Sequence, residues 1–134
     1  MTDLNKVLIT GIVAQEVELR FTPTGIKTAN LRVAIHRRYK NKAQEVKEET
    51  EFITVVVWET LAENCVKYLK KGSRVLVEGR LQTREFTDKN QQQRTVTEIK
   101  AEDVEFLDTL EKKEEKLNPN AVAPKNDLID EGGI

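Results

Sequence analysis

The chain has 134 residues, which suffices for one packed domain and is short for two of typical size. Its 22 basic and 23 acidic residues give a formal net charge of −1, so the composition does not indicate a globally basic nucleic-acid binder. One cysteine excludes an intramolecular disulfide framework, and with one histidine it argues against a structural zinc site.

Alternation of apolar and polar residues predicts that most of the first hundred residues form β-strands. The first strand runs from Val7 to Val13, with Gly11 as a bend or bulge. Residues 31–35 alternate in the same way, and residues 52–58 are β-branched or aromatic almost throughout. Two later strands are predicted over residues 75–86 and 94–99, with a turn at 88–91 between them and a short last strand at 104–107.

One helix is predicted between the third and fourth of these strands. Thr60 and Glu63 have the spacing of a capping box, and Leu61, Cys65 and Leu69 fall on one helical face. Gly72 suits the position after the helix, which is predicted over residues 61–71. Three strands, a helix and two strands is the order of an all-β, five-stranded OB-fold barrel whose single α-helix lies between strands 3 and 4.

The end of the chain differs in composition. Residues 108–134 hold seven acidic and four basic residues, two prolines, a Gly-Gly pair and no aromatic residue, which is typical of disordered segments. We predict a folded domain over residues 1–107 and a flexible acidic tail over 108–134. No apolar run approaches the ~20 residues of a membrane helix, and Asp3 stands where an export signal carries positive charge. We therefore expect a cytoplasmic protein.

The sequence contains no pattern that favours catalysis. It lacks phosphate-binding glycine loops, a nucleophile elbow and a histidine dyad. His36 stands alone beside two arginines, which fits a solvated strand residue. A solvated charge run in a loop is a better explanation than an acid–base pair for the clustered Glu45, Glu48, Glu49 and Glu51. We expect no enzyme, no cofactor and no metal ion.

Basic residues interleaved with aromatic residues are the informative feature. Residues 20–43 hold seven bases and no acid, with Tyr39 in the densest part. Alternation places Phe52 and Trp58 on one face of their strand, opposite an aliphatic face, and Arg84 and Phe86 on one face of theirs. Rings that stack on bases and cations that neutralise phosphates are what an extended single strand requires. The alternatives are an RNA-binding module and an interaction protein whose aromatics are buried at a subunit interface or under loops.

In this order and spacing, a set of short motifs resembles the bacterial single-stranded DNA-binding proteins, the homotetrameric type also found in mitochondria. The motifs are Asn5-Lys6-Val7 with Gly11, Thr24-Gly25, Ala29-Asn30, Glu49-Thr50-Glu51-Phe52, Leu61-Ala62-Glu63, Tyr68-Leu69-Lys70-Lys71-Gly72-Ser73, Val77-Glu78-Gly79-Arg80-Leu81, Thr83-Arg84 and Thr97-Glu98. The resemblance covers nearly the whole predicted domain.

The resemblance implies that the chain binds single-stranded DNA with little sequence preference during replication, recombination and repair. It implies base stacking on Tyr39, Phe52, Trp58 and Phe86. It implies phosphate contacts from Arg32, Arg37, Arg38, Lys40, Lys71, Arg84 and Arg94. It also implies a homotetramer in which first strands pair between subunits, here through Leu4, Asn5, Lys6, Val7, Leu8 and Ile9.

The sequence departs from the family pattern at three places. Glu59 follows Trp58 where many relatives have glycine, and Asn90-Gln91 replaces the usual glycine in the turn after Asp88. Bacterial relatives commonly end in an acidic tip with a Pro-Phe pair that docks replication and repair enzymes. The acidic and apolar residues that would form such a docking tail here, without Pro or Phe, are Asp127, Leu128, Ile129, Asp130, Glu131 and Ile134. A solvated tail that tempers non-specific binding is the alternative interpretation.

Overall fold

The computed structural model describes residues 1–108, which form five long strands, one very short strand and one helix. The elements are β1 (Val7–Val13), β2 (Arg20–Phe21), β3 (Lys27–Lys40), β4 (Val46–Trp58), α1 (Glu59–Tyr68), β5 (Arg74–Thr87) and β6 (Gln93–Phe106). The predicted five-stranded barrel with one helix is confirmed. Sequence reasoning missed the two-residue β2, so the helix that follows the third long strand lies between β4 and β5. The predicted tail, apart from Asp108, lies outside the described residues.

The strands close into a ring in the order β1-β5-β6-β4-β3, and β3 returns to β1. Long antiparallel ladders join β3 to β4 and β5 to β6. Two short seams complete the ring, because β1 meets β3 at Ile12 and Val13, and β4 meets β6 in parallel at Val55 and Val56. The barrel therefore consists of two sub-sheets, β1-β5-β6 and β3-β4, and β2 extends the second beyond the ring.

Two glycines allow close approaches between strands. A Cβ at Gly79 would lie 2.2 Å from the carbonyl oxygen of Lys100, at the bulge where β5 shifts register against β6. A Cβ at Gly11 would lie 2.5 Å from the carbonyl oxygen of Ala34. Of the bend or bulge expected at Gly11, the bulge is absent, since β1 pairs with β5 without a register shift there. Only a residue without a side chain fits where β1 crosses to β3.

The core is aliphatic and lies inside the ring. Alternating valines and leucines of β3, β4 and β5 are fully buried, among them Leu31, Val55 and Val77. Helix α1 covers the core with Ala62 and Cys65. Burial raises the pKa of the Cys65 thiol to about 12, so this cysteine packs as an apolar side chain and does not act as a nucleophile. No helix within residues 1–108 has the length and apolar character needed to cross a membrane.

The helix begins and ends earlier than predicted. Trp58 is its N-cap, and no side chain caps it. The strand ladder continues to Trp58, which pairs with Thr28, so no separate capping residue fits between β4 and α1. Glu63, expected in the capping box, forms an ion pair with Lys27 instead.

The strands extend beyond the barrel as two hairpin arms, which sequence reasoning underestimated. The β3–β4 ladder continues to the pair Lys40–Val46, so Glu48, Glu49 and Glu51 lie on β4 and not in a loop. Opposite charges face each other across this arm and support the pairing. The predicted short strand at 104–107 is the end of β6, which continues past the bulge.

Candidate nucleic-acid interface

One side of the barrel carries aromatic and basic side chains on its outer face. Side chains directly opposite each other in a ladder share a face, and Phe52 lies opposite Ala34 while Trp58 lies opposite Thr28. Their sequence neighbours Ile53 and Val57 belong to the opposite, core-facing set. Phe52 and Trp58 thus lie on the outer face of β4, as alternation predicted.

The same face continues over β6 and β5. Val55 pairs with Ile99 in the core, so the preceding residues, Thr54 and Glu98, both point outward. The β5–β6 ladder then places Phe86 opposite Arg94 on the same face as Glu98. We call this continuous surface of β3, β4, β6 and β5 the outer face. It brings Phe52, Trp58 and Phe86 onto one side of the molecule.

The four predicted stacking residues differ in exposure. Phe52 is 51% exposed and Phe86 is 42% exposed, whereas Tyr39 and Trp58 are half-buried. The Nε1 atom of Trp58 is buried, and residues 1–108 offer it no hydrogen-bond acceptor. Isolated exposed apolar residues are ordinary, but two phenylalanines on one face of a small barrel form a surface on which rings can stack.

A guanidinium lies over three of the four rings. The Cζ atoms of Arg32, Arg37 and Arg84 lie 5.5 Å, 4.7 Å and 5.8 Å from the ring centroids of Phe52, Tyr39 and Phe86, respectively. Such cation–π geometry holds a planar cation next to each ring. Each pair therefore presents one surface for a base and one charge for a phosphate.

Tyr39 lies apart from the other three rings. Tyr39 is an even number of residues from Leu31 and Val33 along β3, and these two face the core. It therefore lies on the face of the β3–β4 arm opposite to the outer face. Its hydroxyl donates a hydrogen bond to Glu49 Oε1 at 3.0 Å, and this bond raises the pKa of Tyr39. The arm projects beyond the barrel and is solvated on both faces, which is why alternation alone did not reveal the separation.

Four of the seven predicted phosphate-binding residues already have carboxylate partners. Arg84 Nε lies 3.0 Å from Glu98 Oε1, and Arg94 Nε lies 2.7 Å from Asp88 Oδ2, a bond that lowers the pKa of Asp88. The longer pairs of the arm, both 3.7 Å, are Arg37–Glu49 and Arg38–Glu48.

The other three predicted phosphate-binding residues lie in different surroundings. Arg32 donates to the Thr54 hydroxyl at 3.1 Å on the outer face. Lys40 lies at the end of the β3–β4 arm and lines an open depression with Arg38 and Tyr39. Lys71 lies in the turn after α1, where its backbone N–H donates to Glu16, and no contact joins it to the outer face within residues 1–108.

Sequence reasoning missed the role of Glu98. Glu98 is 2% exposed although it sits on the outer face, because Arg84 and Gln82 from β5 both donate to its carboxylate. The alternation pattern does not show that Glu98 is buried, because the side chains that cover it belong to another strand. The remaining aromatic residues lie elsewhere: Phe21 is 62% exposed on β2, whereas Tyr68 and Phe106 pack together with ring centroids 6.2 Å apart.

The predicted subunit interface lies along β1 and the segment before it. The Asn5 side chain accepts from Leu81 N–H and donates to Leu81 C=O, both at 2.9 Å, which prolongs the β1–β5 ladder. Leu4 and Leu8 are 93% and 61% exposed. Because β1 meets β3 only at its end, the β1 edge that faces away from β5 has no strand partner over Val7–Gly11 within the described residues.

The chain is similar to known proteins along the same residues. The sequence model of the single-strand binding protein family matches residues 4–107. A single-stranded DNA-binding protein of Oceanobacillus iheyensis is 42% identical over 79% of this chain and 65% of its own length. Single-stranded DNA-binding protein A of Bacillus subtilis is 42% identical over 78% of this chain and 60% of its own length. The chain thus spans about three fifths of the length of such curated relatives.

Two solved structures resemble the barrel. A Plasmodium falciparum SSB in complex with ssDNA superposes with a TM-score of 0.71 at 31% identity, covering 81% of this chain and 98% of that one. A deletion variant of the single-stranded DNA binding protein from Thermus aquaticus gives a TM-score of 0.69 at 25% identity, covering 78% of this chain and 51% of that one.

Proposed function

The chain belongs to the single-strand binding protein family, and from that premise we propose that it binds single-stranded DNA with little sequence preference. In this role it protects exposed strands and removes secondary structure during DNA replication, recombination and repair. The observation that carries the proposal is the set of ring–guanidinium pairs, of which Arg32–Phe52 and Arg84–Phe86 share the outer face.

Stacking and charge neutralisation supply the affinity. A base stacked on an aromatic side chain contributes about 1–3 kcal/mol whatever its identity, since every base has a π-face. Phe52, Trp58 and Phe86 offer such rings on the outer face, and Tyr39 extends the surface on the β3–β4 arm. Arginines beside the rings neutralise phosphates, which makes the affinity salt-dependent.

The mechanism is passive and needs no catalyst or cofactor. The protein binds single strands better than duplex DNA, because bases in a duplex are already stacked and cannot reach the rings. It therefore traps transiently opened DNA, and hairpins in the strand melt as the coated form accumulates. No bond is made or broken. Within residues 1–108 no cluster of His, Cys, Asp or Glu is suited to hold a metal ion.

We infer a homotetramer in which β1 strands pair between subunits. The support is the β1 edge without a strand partner, together with the exposed Leu4 and Leu8 beside it. Leu4, Asn5, Lys6, Val7, Leu8 and Ile9 are the residues proposed for this contact. Several barrels in one assembly would hold one strand with a high effective concentration, which raises affinity without new contacts.

Partner docking and cellular location remain predictions. The residues proposed for docking replication and repair enzymes, from Asp127 to Ile134, lie outside the described residues. We propose a cytoplasmic, nucleoid-associated location, because that is where single-stranded DNA arises during replication.

The fluorescence of Trp58 tests the function directly, since it is the only tryptophan. Titration with oligo-dT at low and high salt should quench the emission, with affinity that falls modestly as salt rises. Unchanged emission, together with no retarded band in a gel assay, would contradict the proposal. A parallel titration with oligo-U distinguishes DNA from RNA binding, because discrimination requires contacts at the 2′-position.

Phenylalanine variants test whether the outer face is the surface used. Phe52→Ala and Phe86→Ala should each weaken oligo-dT binding by about 1–3 kcal/mol, the contribution of one stacked base. Phe21→Ala is the control, because Phe21 is also exposed, at 62%, but lies on β2 opposite Lys27 and so points away from the outer face. Equal losses in all three variants would argue that stacking is not confined to the outer face.

A further inference from the structure

A polar cavity of about 220 Å³ opens where β2, β3 and β4 meet the segment after β1. Arg20, Arg32, Asn30, Thr54 and the carboxylates Glu16 and Glu18 are among its lining residues. We propose that this cavity receives the edge of one guanine base from the bound strand. The inference rests on the proposed function and adds to it a moderate base preference at one nucleotide position, while the remaining positions are bound with little sequence preference.

The cavity lies along the path between two stacking residues. Arg20 stands opposite Thr28, which stands opposite Trp58, so these three form one row across β2, β3 and β4. At the other end the Arg32 guanidinium lies over the Phe52 ring. Phe52 and Trp58 are six residues apart on one strand, or roughly 20 Å. A strand that stacks on both rings must pass over the cavity between them.

The charges of the lining select a neutral ligand over a phosphate. Two arginines and two glutamates cancel, so a phosphate entering the cavity would meet two carboxylates as well as two cations. A nucleobase carries no charge but has both donors and acceptors along its edges. The lining offers guanidinium donors, carboxylate acceptors, amide groups and a hydroxyl, which can satisfy both kinds of group.

Among the bases, guanine matches this combination best. An arginine fork donates to guanine O6 and N7 as a bidentate pair, and a carboxylate accepts from guanine N1–H and N2–H. Arg32 is already bonded to Thr54 and held over Phe52. Arg20 is exposed and, within residues 1–108, has no hydrogen bond or ion pair. We therefore assign the contact with guanine O6 and N7 to the Arg20 guanidinium. Glu18, on the same lining, is assigned to N1–H and N2–H.

The test compares full-length protein bound to labelled oligo-dT of one length in which the central base is dT, dA, dC, dG or 7-deaza-dG. A single dG avoids self-association of guanine-rich strands. Fluorescence anisotropy should give at least about fivefold tighter binding for dG than for dT, dA or dC. The advantage should disappear for 7-deaza-dG, which lacks the N7 acceptor.

Arg20→Lys assigns the effect to the cavity, because lysine keeps the charge but lacks the bidentate fork. In this variant the ratio of the affinity for dG to the affinity for dT should fall to about one, whatever the change in oligo-dT binding itself. Arg74→Lys, an exposed arginine at the far end of β5 from Phe86, should keep the dG advantage.

Equal affinity for all central bases, with oligo-dT binding intact, overturns the cavity assignment and leaves the proposed function standing. A dG preference that survives in Arg20→Lys also overturns it. Failure to bind any oligonucleotide overturns both proposals together.

Discussion

At Glu59 the backbone has a φ of +55°, in the left-handed region that residues with a Cβ rarely adopt. The strain arises because the β3–β4 ladder continues to Trp58 and α1 begins at the next residue. One residue must therefore turn the chain from extended to helical geometry. A glycine, as in the family pattern of the resemblance described above, would adopt this φ without strain, so Glu59 is a local cost to stability next to a proposed stacking residue.

Replacing Glu59 by glycine should stabilise the fold. Glu59→Gly should be about 1 kcal/mol more stable to urea than Glu59→Ala, since both remove the carboxylate and only glycine relieves the left-handed strain. The measurement is the urea midpoint with an unchanged m-value. Equal stability of the two variants would show that φ at this position carries no cost.

The tyrosine on the β3–β4 arm gives a pH-dependent readout of its hydrogen bond. The bond to Glu49 raises the pKa of Tyr39 above 10.0, so the stability it contributes is present below that pH and is lost as pH rises through the raised pKa. In a Tyr68→Phe background Tyr39 is the only tyrosine, and its ultraviolet titration should have a midpoint above 10.0. Glu49→Ala should lower that midpoint. Glu48→Ala, which removes a carboxylate from the other face of β4, should leave it in place.

At the scale of elements, three hairpin tips share one construction. In each, the first residue's side chain accepts a hydrogen bond from the backbone N–H four residues on, at 2.9 to 3.1 Å. The fourth residue has a positive φ, between +63° and +90°. The first and fourth residues are Thr22 and Gly25, Asn41 and Gln44, and Asp88 and Gln91. Two of the three tips thus place glutamine where the first has glycine.

Glycine at the two glutamine positions should stabilise the arms. Gln44→Gly and Gln91→Gly should each raise the free energy of unfolding by about 0.5–1 kcal/mol, and the effects should add because the tips lie on different hairpins. Gly25→Ala provides the opposite test, since it introduces a Cβ at a φ of +90° and should destabilise by a similar amount. Urea unfolding measures all three. A loss of stability in either glutamine variant would contradict the strain argument.

The lengths of the arms also explain what sequence could and could not predict. Apolar alternation revealed the strands inside the barrel, because there one face must be buried. Residues 36–51 carry few apolar side chains, and their pairing depends on charges such as Arg37 and Glu49 meeting across a register that no local pattern reveals. For the same reason, the sequence did not show that Tyr39 lies on the other face, or that Gln82 and Arg84 bury Glu98, because both depend on contacts between strands. The sequence predicted which aromatic and basic residues form the candidate site, but not which side chains pair with them.

At the scale of the whole molecule, carboxylates would compete with the DNA of the proposed function for the basic residues. Four of the seven arginines and lysines proposed for phosphate contacts are paired with acidic groups in the free protein, including the buried Glu98. When a phosphate replaces a carboxylate beside an arginine, the DNA still releases a bound cation, but the freed carboxylate attracts a cation in turn, so the net release of cations is smaller. These ion pairs therefore reduce how strongly the affinity of the proposed DNA binding depends on salt.

Neutralising the carboxylates of the β3–β4 arm should steepen the salt dependence. In Glu48→Gln/Glu49→Gln, freeing Arg37 and Arg38 should tighten oligo-dT binding at low salt and increase the log–log slope by about 0.7 for each arginine. The control with the same charge change is Asp103→Asn/Glu105→Gln, at exposed positions near the far end of β6. If both double variants have the same slope, net charge alone governs binding and the ion pairs do not compete.

The two short seams of the barrel have a consequence for the bound state. The seam between β4 and β6 separates Phe52 on one sub-sheet from Phe86 on the other. A strand of DNA stacked on both rings would connect the two sub-sheets across a seam that has only two residue pairs of its own. Binding would then make local opening of the barrel at this seam rarer. Hydrogen exchange should therefore slow most at the backbone amides along the seam.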